Sequence, residues 1–186
     1  MKRVNYGPDY FSINPILPCC EFVPDGEPHI FGEKIYVYGS HDLYDSGEMC
    51  QGDYVCYSAD VHRPVKWKYE GVIYKRIQDP YIKKQLDTGK ANMMNANLFA
   101  PDVVEIEEKY YLYYGVGLSN SGFGVAVADS PTGPFTYIGR VRYPESEKPA
   151  GWKDCHDGID DGDMAFGYGI PAFSPKLGNG KCTVYP

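Results

Sequence analysis

The sequence predicts an all-β chain built from a repeated unit of about four strands, and three observations carry that expectation. The first is composition: 18 tyrosines, 21 glycines and 15 prolines in 186 residues, with few Ala- or Leu-rich periodic runs, favour strands and turns over helices. The second is a series of short runs in which β-branched and aromatic residues alternate faces between glycines. The third is internal repetition. Lys34-Ile-Tyr-Val-Tyr38, Lys109-Tyr-Tyr-Leu-Tyr113 and Lys181-Cys-Thr-Val-Tyr185 share one pattern at offsets of 75 and 72 residues, each behind a turn.

Taken in order, the first unit covers about residues 22–75. Phe31-Gly32-Glu33 turns into the strand 34–38, and strand-like runs follow at Tyr54 to Asp60 and Trp67 to Gly71. The second unit, about 98–143, repeats them: a Glu107-Glu108 turn, the strand from Lys109, then Gly124 to Asp129 and Phe135 to Gly139. A third begins at about 171–186 with the turn Gly178-Asn179-Gly180 and one strand. Short antiparallel strands repeated with turns between them are the signature of propeller blades; a two-layer sandwich is the competing architecture. A ring needs four to eight blades, so residues 1–186 are expected to form a single incomplete propeller domain, a fragment with a lone third-unit strand. Unpaired blade edges then invite self-association. The connections 75–99 and 141–171 are polar, lack a period and read as loops. Met93-Met94-Asn95-Ala96-Asn97 lies in the first of them, placed to line a site.

The formal charge of -7 and the absence of a Lys/Arg cluster exclude nucleic acid as a partner. No apolar core follows Met1-Lys2-Arg3 and no run reaches membrane-spanning length, so a cytoplasmic protein without a membrane partner is expected. The six cysteines form no CxxC pair and have no histidine at ligand spacing, which disfavours zinc and fits reduced thiols. The acid-rich run from Asp154 to Asp163 breaks the EF-hand spacing and lacks its closing glutamate, so it reads as a solvated loop.

Two acids stand out. Asp25 lies nine residues before Lys34 and Asp102 seven before Lys109, so both are expected to enter the innermost strand of their unit from a loop at the same end. Two carboxylates delivered by successive blades to one funnel suit glycoside hydrolysis, in which one group activates water while others protonate the leaving oxygen or tune charge. His41 and Asp42 follow the first strand, and Asn95 and Phe99 adjoin the second acid; these four are the candidate sugar-binding residues. His29 and His156 look isolated.

Asn14-Pro15, Asp25 ahead of the aromatic strand, Gly39-Ser-His-Asp42 after it, and Ala100-Pro-Asp-Val103 before Tyr110-Tyr-Leu-Tyr-Tyr114 together resemble family 43 glycoside hydrolases. The resemblance implies a five-bladed propeller, an inverting mechanism and a carbohydrate substrate containing arabinose or xylose. It makes Asp25 the catalytic base and Asp102 the residue that tunes and orients the general acid. In that family Asp-Pro is usual at the base, whereas Gly26 follows Asp25 here. The family's general-acid glutamate lies in the third blade, and no residue of this sequence matches it, so a weakly active or inactive truncated enzyme is expected. The alternative is a propeller-like module that binds carbohydrate, or serves structure alone, without hydrolysis. No cofactor is expected: a complete propeller has room for Ca²⁺, but nothing in this chain supports it.

Overall fold

The computed structural model describes residues 15–118, 123–142 and 183–185. The Asp154 to Asp163 run, Asn14, the turn before Lys181 and nearly all of the 141–171 connection lie outside the described residues. The first sheet is an antiparallel meander of β1 (Glu27–Phe31), β2 (Lys34–Tyr38), β3 (Tyr54–Asp60) and β4 (Lys68–Tyr74). The second runs β5 (Leu98–Ile106), β6 (Lys109–Val116), β7 (Phe123–Ala128), β8 (Thr136–Arg142) and β9 (Thr183–Tyr185).

Three elements depart from expectation. The strand 34–38 is not the innermost of its unit: β1 precedes it and pairs with it in register from Glu27 opposite Tyr38 to Phe31 opposite Lys34. Pro28 is tolerated because β1 is an edge strand, where a missing N–H costs no ladder bond. The connection 75–99 is not all loop, since it holds a 3₁₀ turn (Arg76–Gln78) and helix α1 (Pro80–Asp87). Asp79 caps that helix, accepting from the amides of Tyr81 and Ile82, and Pro80 takes the first helical position, where no amide is needed. The strand 183–185 does not stand alone but pairs antiparallel with β8, from Arg140 opposite Tyr185 to Arg142 opposite Thr183.

The core lies between the two sheets, with Tyr36, Tyr38, Tyr54, Ile73 and Tyr74 of the first meeting Leu98, Val103, Leu112, Tyr114 and Val116 of the second. Ile82 of α1 and Phe135 close it. The abundance of tyrosine now has a physical reason: a phenol buries a large ring yet carries a polar tip that must find a partner. Tyr38 donates to the carbonyl of Pro131 and Tyr54 to that of Phe99. Tyr74 and Tyr114 meet hydroxyl to hydroxyl at 2.7 Å. All three bonds cross the seam, so the same side chains fill the core and fix how the sheets sit on each other. Burial pushes all four phenols up from their usual range, so they remain hydrogen-bond donors.

The fully buried Asp79 carboxylate gathers three elements. Arg140 of β8 reaches both its oxygens at 2.6 and 2.8 Å, and Tyr114 of β6 donates to Oδ2 at 2.8 Å. Tyr114 spends its proton there, so Tyr74 is the donor in the tyrosine pair. A buried charge is tolerable only when paired and hydrogen-bonded, and removing one partner of such a pair typically costs about 3–5 kcal/mol. Asp79→Ala is therefore expected to lower the urea midpoint by the equivalent of about 3 kcal/mol or more. Asp87→Ala, which removes an exposed helix ion pair with Lys83, is expected to change it by under about 0.5 kcal/mol; equal effects would contradict the assignment.

Candidate active site

Asp25 sits on a tight turn immediately before β1, with φ of 57°, a left-handed conformation that aspartate adopts more readily than most residues. The turn lies directly on Gly39, just after β2: a Cβ there would stand 2.6 Å from Val23 Cγ1 and 2.7 Å from the carbonyl oxygen of Pro24. Glycine at 39 is thus what lets the acid-bearing turn come down onto the strand end. Asp25 itself remains exposed. Its Oδ2 accepts a hydrogen bond from Ser40 at 3.0 Å.

Asp102 lies inside β5 rather than before the strand pair, opposite Tyr113. The ladder is irregular between Phe99 and Asp102, and Ala100 there has φ of 37°. The backbone turns at this point, and the Asp102 carboxylate approaches His29 of β1, with Nε2 2.8 Å from Oδ1. The two atoms are close but not aligned as a hydrogen bond, and neither has another hydrogen-bond partner. The contact is best described as a tight polar pair. His29 stacks on Phe31, centroids 5.9 Å apart, and leans on Tyr38, so aromatic rings fix its plane. The neighbouring His29 imidazole holds the Asp102 carboxyl below the usual carboxylate range, against the opposing effect of burial.

Glu27 completes the group. Its carboxylate and the donor atoms of His29 and Asp102 lie within 4.8 Å of one another, a separation at which one divalent cation could be shared, although Glu27 is exposed. Glu27, His29 and Phe31 share one period-2 face of β1. His29 thus belongs to the site rather than standing isolated.

The remaining candidates have other engagements. His41 is held at one nitrogen and has an acid near the other: Nδ1 donates to the Asp53 carbonyl at 3.0 Å, since a carbonyl can only accept, and Nε2 faces Glu21 at 3.5 Å. Asp42 pairs with Phe22 across a short bridge and accepts from the Cys50 amide at 2.6 Å, which braces the loop 42–50. Asn95 spends its side chain on its own loop, receiving the Asn92 amide and donating to the Lys90 carbonyl. Phe99 lends its carbonyl to Tyr54. The structure therefore brings Asp25, Ser40, Ala100, Asp102 and His29 together at one point of the seam, and sets His41, Asp42 and Asn95 to work within the neighbouring loops.

The model of glycosyl hydrolases family 43 matches residues 65–151. A xylosidase/arabinosidase of Thermoclostridium stercorarium is 40% identical over 136 residues, covering 73% of this chain and 27% of the relative. The chain belongs to glycosyl hydrolase family 43. Xylosidase/arabinosidase 43A of Humicola insolens is 34% identical over 125 residues, 62% of this chain and 35% of that protein. Among solved structures, the family 43 enzyme of Xanthomonas citri complexed with xylose aligns with a TM-score of 0.52 at 25% identity, over 67% of this chain and 33% of that one. A family 43 β-xylosidase/α-arabinofuranosidase from a compost microbial metagenome, in complex with xylotriose, aligns with the same TM-score at 28% identity, over 67% and 36%. The two sheets are thus propeller blades, and this family 43 chain spans about a quarter to a third of the length of these relatives.

Because the folded-state pKa of Asp102 is depressed, its ionisation contributes stability above the unfolded value of about 3.9 that is lost as pH falls through the lower folded value. Asp102→Asn resembles the protonated acid. The unfolding free energies of the two forms, compared by urea titration, are expected to differ at pH 6 and to converge below about pH 4. The carboxylate is 42% exposed, so water screens the pair and the gap is expected to stay under about 1 kcal/mol. A gap that widens on acidification would contradict the pairing.

Proposed function

We propose that this protein belongs to an inverting glycosidase that cleaves β-xylosyl or α-L-arabinofuranosyl linkages, with Asp25 as general base and Asp102 as the carboxylate that tunes the acid. The observation that carries the reading is the convergence of two acids from successive blades. Asp25 is linked through one serine hydroxyl to the backbone two residues before Asp102. Asp25 sits on the turn before β1, and Asp102 lies inside β5 just past the irregular step at Ala100. The substrate class rests on the xylosidase and arabinosidase relatives and on the sugars bound in their structural neighbours.

In this reaction an exposed carboxylate draws a proton from water as the water attacks the anomeric carbon from the face opposite the leaving group. Asp25 suits that task, being exposed at a blade end with one oxygen held by Ser40. Asp102, kept ionised by His29, supplies the fixed negative charge that raises the pKa of a neighbouring acid. The family resemblance assigns the proton donor to a third-blade glutamate. Where that group is not in place, losing positioned proton transfer typically costs about 10²- to 10⁴-fold in rate.

The test is turnover of aryl xyloside and aryl arabinofuranoside by the full-length gene product, with the anomer of the first-formed sugar followed by proton NMR. Asp25→Asn is expected to lower kcat by about 10³-fold or more with little change in KM, and the wild type to release the inverted anomer. Unchanged turnover in Asp25→Asn, or a retained anomer, would overturn the assignment.

A further inference from the structure

The buried hydroxyl of Ser40 has a role that neither acid explains by itself. Ser40 is fully buried just beyond β2, and its one hydroxyl is used in both directions. It donates to Asp25 Oδ2 at 3.0 Å and accepts from the Ala100 amide at 2.8 Å. The first partner belongs to the turn before blade one, the second to the irregular strand of blade two, 60 residues away from Ser40 in sequence. Both partners have positive φ, 57° at Asp25 and 37° at Ala100. For alanine this is uncommon, and such a conformation persists only where surrounding structure holds it.

We propose that Ser40 is a positioning residue shared by the two acids, which fixes the Asp25 carboxylate and the backbone bend that aims Asp102 at His29 with a single hydroxyl. The proposal rests on reading Asp25 and Asp102 as the site acids, and it concerns how they keep a common frame. A hydroxyl suits the position because it offers one donor and an acceptor lone pair at one atom. A carboxylate only accepts and an amide N–H only donates, so the two cannot bond through an apolar side chain. Alanine at 40 would leave both without that partner. Threonine would keep the hydroxyl, and cysteine would keep the shape with a thiol that bonds weakly.

The measurements need no catalysis, so they stand or fall apart from the functional reading. Amide exchange at Ala100 is followed in the full chain by mass spectrometry, and the His29 imidazole nitrogens by ¹⁵N NMR. Ser40→Ala is expected to speed exchange at Ala100 by about tenfold or more, the order expected when a hydrogen bond is lost. It should also shift the His29 nitrogen resonances, although Ser40 does not touch His29. Ser40→Thr should restore both to within about twofold of the wild type. If Ser40→Ala does not fold, Ser40→Cys is expected to move both readouts in the same direction by a smaller amount. Faster exchange at Ala100 with His29 unmoved would reduce Ser40 to a local brace and overturn the proposal, as would wild-type exchange in both variants. Asp25→Asn with unimpaired turnover would instead overturn the functional reading while leaving these readouts intact.

Discussion

The structure depends on a charge kept away from water. Asp79 is fully buried between the two blades, and it is satisfied by the amides at the start of α1, the guanidinium of Arg140 and the hydroxyl of Tyr114. Apolar packing alone lets sheets slide on one another, because hydrophobic contact has no preferred direction. Hydrogen bonds to a buried carboxylate do have direction, and leaving one unmade is expensive. The Asp79 cluster, with the tyrosine hydroxyls that cross the seam, sets the relative placement of blade one and blade two. That placement brings the Asp25 turn and the Asp102 strand to a common point.

The same logic works on a smaller scale around the two acids. Gly39 lets the Asp25 turn settle on the strand end, and Ser40 ties that turn to the bend at Ala100. Asp102 is thereby carried to His29, whose ring is already fixed by Phe31 and Tyr38. The proposed hydrolysis would need preorganisation of this kind, because a carboxylate a fraction of an ångström out of place loses much of its effect on the transition state. The aromatic strands serve the core and the site at once: Tyr38 packs inside, hydrogen-bonds across the seam and supports His29.

The all-β class and the two blades were legible in sequence because each rests on a local pattern: alternation, glycine-bounded runs and repetition at 75 residues. Other features were hidden for identifiable reasons. Strand β1 was obscured by Gly26 and Pro28, which read as turn residues, and with it went the alternating face Glu27, His29, Phe31. Helix α1 did leave a signal, an aspartate followed by proline ahead of Tyr81 to Asp87, but in a short polar segment that mark was easily read as loop. Pairing of residues 183–185 with β8 is a long-range choice that no local pattern encodes. Ser40 lay within a recognisable motif, yet its role depends on an amide 60 residues away in another blade.

We propose that blades one and two hold Asp25 and Asp102 in one sugar-binding site. Titration of the ¹⁵N-labelled chain with xylo- and arabino-oligosaccharides, followed amide by amide, tests that claim most directly. The predicted result is a set of shifts centred on Asp25, His29, Ser40, Ala100 and Asp102 that saturate together at one sugar concentration. Shifts confined to one blade, or two acids responding at different concentrations, would contradict it.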